Sequence, residues 1–76
     1  MNKSDSQVVE NVIHCLSTGQ TTEALETLIK GRKRYPCKIA VLSCLVTSKL
    51  IESNDQQSLK FFIAKLELYH TNRLNW

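Results

Sequence analysis

Cys15, Cys37 and Cys44, with His14 and His70, are the side chains of this sequence best suited to bond making, redox chemistry or metal binding. Zinc is usually held by four N or S donors, and a common sequence mark is a pair such as Cys-x-x-Cys. No such pair occurs here. His14 and Cys15 are adjacent, and adjacent positions on a helix point about 100° apart, so they cannot both face one ion. Cys37 and Cys44 can share a helix face, but no second histidine clusters with them. A Cys–His nucleophile would also need a site that stabilises the oxyanion. Gly19 and Gly31 are the only glycines, too few for a phosphate-cradling loop. The seven carboxylates are scattered singly, without a pair suited to acid–base work. The expectation is no enzyme, no bound metal and no cofactor. Cys15 and Cys44 read as small buried hydrophobes.

The charges are less evenly spread. Lys30, Arg32, Lys33, Arg34 and Lys38 are half of the ten cationic residues, and the net charge is +3. Such a cluster either marks an anionic partner or is the solvated end of a helix, where cations oppose the negative pole of the macrodipole. The helix-end reading is preferred. The start of the chain is polar and runs straight into an amphipathic segment, and the cysteine number is odd. Reduced thiols and a cytoplasmic location are therefore expected. No apolar run approaches the length of a membrane span.

Four helices must position these groups. The first should start near Asp5 or Ser6, bury Val8, Val9, Val12, Ile13 and Leu16, and stop at Gly19. The second should begin at Thr21 or Thr22, with a stripe of Ala24, Leu25, Leu28 and Ile29, and cannot continue through Pro36. The third, from about Cys37 to Glu52, carries Ile39, Ala40, Val41, Leu42, Cys44, Leu45 and Val46 almost around its circumference. That pattern predicts burial on more than one side. Asp55 should cap the fourth, whose stripe is Leu59, Phe62, Ile63 and Leu66. Phe61 and Leu68 are left for a second surface. The tail from Thr71 to Trp76 is expected to add no helix of its own, and Leu74 and Trp76 should fold back or touch a partner.

A shift of 34 residues superimposes these stripes. Val8 falls on Leu42, Val12 on Val46, Leu16 on Leu50, Leu25 on Leu59, Leu28 on Phe62, Ile29 on Ile63 and Tyr35 on Tyr69. Thirty-four residues is the period of a tetratricopeptide repeat. With Ala24, Leu28, Gly31 and Pro36 in one unit and Phe62 in the other, residues 5 to about 70 resemble that family. The match is degenerate: Val8 and Leu42 replace the usual aromatic, Val12 and Val46 the usual small residue, and Lys65 and His70 do not fit. The expected fold is all-α: four antiparallel helices in two stacked tetratricopeptide-like hairpins. It is one domain, with hairpins over about 5–35 and 37–70 and a tail over 71–76.

The resemblance also implies a site. In tetratricopeptide arrays the first helix of each pair lines the concave face, here Val9, Glu10, Ile13 and Leu16 with Ala40, Ser43, Cys44, Thr47 and Leu50. Leu16 and Leu50 are also natural core positions. Two repeats are fewer than usually stand alone, so some apolar surface must stay open, pair with itself or be covered by another chain. An apolar groove suits the face of an amphipathic helix. Size, the stretch from Leu16 to Leu25, and Tyr35-Pro36 before an apolar helix are similar to the type III secretion needle chaperones. In that family a short tetratricopeptide-like protein, with a helical co-chaperone, holds the C-terminal helix of the needle subunit in the bacterial cytosol. The expected function is therefore a protein-binding chaperone whose partner is an amphipathic helix. The alternatives are a basic nucleic-acid-binding regulator, using the cluster at Lys30 to Lys38, and an adaptor that binds itself as a dimer.

Overall fold

The structure, a computed structural model, describes the backbone of residues 3–74 and the side chains of residues 4–72. The described residues form α1 (Lys3–Ser17), α2 (Thr21–Ile29), α3 (Pro36–Glu52) and α4 (Gln56–Leu74), without a strand. Three-residue links join α1 to α2 and α3 to α4. Links that short fold consecutive helices back on each other as hairpins. α1 packs most closely on α2 and also lies against α3, while α4 lies against α2 and α3.

The two tight turns share one geometry. Gly19 takes φ +81, Gln20 N–H donates to Cys15 O at 2.8 Å, and Gly19 N–H donates to Leu16 O at 3.2 Å. This is the Schellman arrangement, which satisfies carbonyls a helix end leaves open. After α3 the same pair of bonds recurs, Asp55 N–H to Leu50 O and Asn54 N–H to Ile51 O. There the left-handed residue is Asn54, at φ 57. Asp55 then starts the next helix, as expected: its Oδ1 accepts from Ser58 N–H at 3.2 Å. Pro36 is the first residue of α3, a position where its fixed φ and missing N–H carry no penalty.

The core is one layer of side chains. Val9, Val12 and Leu16 of α1 meet Ala24 and Leu28 of α2, Ile39, Leu42, Val46 and Leu50 of α3, and Phe62 of α4. Val8, Ile13, Cys15, Leu25, Ile29, Leu45, Leu59 and Leu66 pack around its margin. The thinnest dimension of the molecule is 17 Å. Packed helix axes lie 8–10 Å apart, so this is a two-helix thickness and every helix has a solvent side.

Several expectations need correction. α1 begins at Lys3, ahead of Asp5. α3 is buried on one side only: Ala40, Val41, Cys44 and Ile51 are exposed, because no helix lies outside it. Ile63 belongs to the outer surface of α4, 43% exposed. The buried face of α4 instead passes through Ser58 and Phe62, and Lys65 Nζ donates to Thr22 Oγ1 at 3.5 Å. Residues 71–74, expected to be tail, extend α4. They continue an existing helix and need no nucleation of their own. The side chain of Leu74 and all of Trp76 lie outside the described residues.

Among the described residues Phe62 is the largest fully buried side chain and the only residue of α4 in the buried hydrophobic core. Phe62→Ala should therefore cost about 3–5 kcal/mol, enough to unfold most of a domain this small. Urea denaturation followed by circular dichroism measures it; a loss below about 1 kcal/mol would show that α4 is not anchored there.

Candidate partner-binding surface

The residues assigned to a groove divide three ways. Val9, Leu16 and Leu50 are at most 4% exposed and belong to the core. They cannot contact a partner in the folded chain, so their place in the groove is withdrawn; the hairpin–hairpin contact claims them first. Ile13, Ser43 and Thr47 are half-buried, and Ala40 and Cys44 are exposed. Ser43 Oγ donates to Ile39 O at 2.7 Å, and Thr47 Oγ1 donates to Ser43 O at 2.8 Å. Both hydroxyls thus bond to their own helix. The polar residues of this face present little unmet hydrogen bonding to a visitor.

A feature that the sequence reading passed over lies on the outer side of α3. Cys37, Val41, Cys44, Ser48 and Ile51 are all exposed, Val41 by 59% and Ile51 by 62%. Their spacing alternates four and three, the a/d rhythm of a helix-pairing seam. At 1.5 Å per residue the seam is about 21 Å long. The signal was present in the sequence, but the near-continuous apolar pattern of α3 concealed it: the inner and outer stripes overlap until burial separates them.

The first hairpin provides an internal control. Thirty-four residues earlier, Val41, Cys44, Ser48 and Ile51 correspond to Gln7, Glu10, His14 and Ser17. These four are also exposed. Equal exposure has produced a polar face on α1 and an apolar face on α3. Single apolar side chains at a surface need no explanation; a contiguous stripe does. Phe61 and Leu68, exposed on α4 by 47% and 57%, are two turns apart and add a smaller apolar strip.

The basic cluster occupies the corner between α2 and α3. α2 has no cation in its last turn. Only Lys30 caps it, and Arg32, Lys33 and Arg34 lie beyond, in the turn leading to Pro36. The reading of the cluster as a helix end thus holds for one residue of the five. Lys30, Arg32, Tyr35 and Lys38 surround an open hollow of about 430 Å³ that also touches Ser4, Asp5 and Gly31. Lys38 Nζ lies 3.5 Å from Asp5 Oδ2. Arg32 Nη1 donates to Lys30 O.

The cysteines are free thiols. Cys44 is exposed, contrary to its reading as a buried hydrophobe, because it lies on the outer seam; Cys15 is half-buried. Among the described residues no three of His, Cys, Asp and Glu are grouped so as to hold a metal ion. No helix among them is long and apolar enough to cross a membrane.

Comparison of the chain with protein-family models, curated proteins and solved structures finds no match.

The two faces of α3 should respond oppositely to charge. Val46→Lys places an unpaired ammonium in the core and should unfold the chain. Val41→Lys on the seam should change stability by no more than about 0.5 kcal/mol. Thermal melts of both variants distinguish them; equal destabilisation would mean that Val41 is not a surface residue.

Proposed function

We propose that the protein is a binding module that holds an amphipathic helix of another polypeptide, and that the outer seam of α3 is its principal contact. The contrast between the polar outer face of α1 and the apolar outer face of α3 carries this reading. Ile13, Ala40, Ser43 and Thr47 would border the contact. Fully burying an aliphatic side chain contributes about 1.5–3 kcal/mol. Val41 and Ile51 are each about three-fifths exposed, so covering both yields roughly 2–4 kcal/mol. That is a modest gain, and the affinity it supports is correspondingly modest.

The biological role that fits is that of a small cytoplasmic chaperone of a type III secretion system. The support is two stacked hairpins with a 34-residue period and an apolar face exposed on α3 among the described residues. In that role the partner would be a needle subunit, whose helix would be kept from polymerising until export.

Val41→Glu/Ile51→Glu should weaken binding of a neutral amphipathic helical peptide at least tenfold, with circular dichroism unchanged. Titration calorimetry gives the ratio, and unchanged affinity would exclude the seam. Co-expression with the needle subunit of the same cell tests the role: the subunit should stay soluble with the native chain and polymerise with the double variant. Polymerisation in both cases would remove the chaperone reading.

A further inference from the structure

We infer that the helix held on α3 has an acidic end, and that this end lies over the basic corner between α2 and α3. The inference rests on the seam as the binding surface and adds the partner's charge and direction to it.

The seam is electrically lopsided. It begins at Cys37, and the next residue is Lys38; Lys33 and Arg34 lie on the turn that leads into it. At the far end Lys49 and Glu52 offset each other around Ile51. Of the five corner cations, Lys38 alone has a carboxylate within 4 Å among the described residues, and its side chain is still 47% exposed. Tyr35, 62% exposed, lines the hollow with Lys30, Arg32 and Lys38 and precedes Cys37, the first seam residue, by two positions.

The architecture does not require this cluster. The helix-end role accounts for Lys30 alone. In the second hairpin the segment 34 residues on contains one cation, Lys65, and one acid, Glu67. The segment from Lys30 to Lys38 therefore has a concentration of charge that residues 64–72, which are helical in α4, lack, and it adjoins an apolar stripe that the first hairpin lacks. The two features adjoin, and an occupant with an apolar face and an acidic end meets both.

A nucleic acid fits less well. The cations come from nine consecutive residues at one corner, and not from a row that follows successive phosphates. The adjoining surface is apolar, which a polyanion does not reward.

Three synthetic peptides of about 18 residues, enough to span the seam, test the inference. They share a Leu/Ala heptad stripe and differ at one end, which is neutral, Glu-rich or Lys-rich. The full chain should bind the Glu-rich peptide about tenfold more tightly than the neutral one at low salt, and this advantage should vanish near 1 M salt, where the Debye length is about 3 Å. Lys33→Glu/Arg34→Glu, at exposed positions, should reverse the ranking of the Glu-rich and Lys-rich peptides. A chloroacetyl group on the acidic end should alkylate Cys37 faster than Cys44, by mass spectrometry, and the same group on the opposite end should not. If all three peptides bind alike, or the charge reversal leaves the ranking intact, or the acidic end labels Cys44 first, the inference is overturned while the seam stands. If none binds, the seam reading fails and the inference with it. A short RNA duplex that binds more tightly than the Glu-rich peptide, and is displaced by salt, would assign the corner to nucleic acid and overturn the inference.

Discussion

A hydrophobic core one side chain deep holds these four helices together, and it can be satisfied from one direction only. Val12, Leu28, Val46 and Phe62 represent α1 to α4 in it, each buried to within 1%. Because the layer is two helices thick, each helix gives one stripe to the core and keeps another for solvent. The Schellman turns at Gly19 and Asn54 fix where the chain reverses, and so fix which stripe faces in. What remains outside is then a matter of sequence, and the two hairpins differ there.

That difference lies on the outer faces of α1 and α3. Solvation alone gives α1 its Gln7, Glu10, His14 and Ser17. On α3 the same positions have Val41, Cys44, Ser48 and Ile51, in a spacing suited to pairing with a helix. Contiguous exposed apolar stripes of this kind mark interaction sites or aggregation liabilities, and a partner seated on this one would cover it. On the proposed reading, the basic corner at the head of the stripe would set the direction of a helix placed there. α4 is longer than α2, 19 residues against 9, and continues past its last core residue, Phe62. Its outer residues Phe61 and Leu68 are exposed and stay outside the core.

Much of the fold was legible in the sequence. The inward residues of α1 and α2, the left-handed stop at Gly19, the break at Pro36 and the cap at Asp55 follow from local chemistry that tertiary contacts reinforce. The site was less legible. Val9 and Leu50 have the periodicity of a groove and of a core alike, and only stacking of the hairpins decides between them. Cys44 is of a residue type suited to burial, yet it lies exposed on the outer side of α3. The outer seam was hidden because a helix apolar on both sides looks, in sequence, like one buried on both sides. The continuation of α4 through residue 74 was missed because length alone disfavours a six-residue tail as a separate helix, whereas it is an uninterrupted extension.

If a partner helix rests on the outer seam of α3, the native thiols report on it without any substitution. Cys37 and Cys44 lie on the seam, and Cys15 is half-buried near the core. The decisive measurement is the alkylation rate of each cysteine by iodoacetamide, with and without a saturating amphipathic helix, resolved by peptide mass spectrometry. Binding should slow Cys44 and Cys37 at least tenfold and leave Cys15 unchanged. An unaltered rate at Cys44 under saturation would place the partner elsewhere and contradict the account.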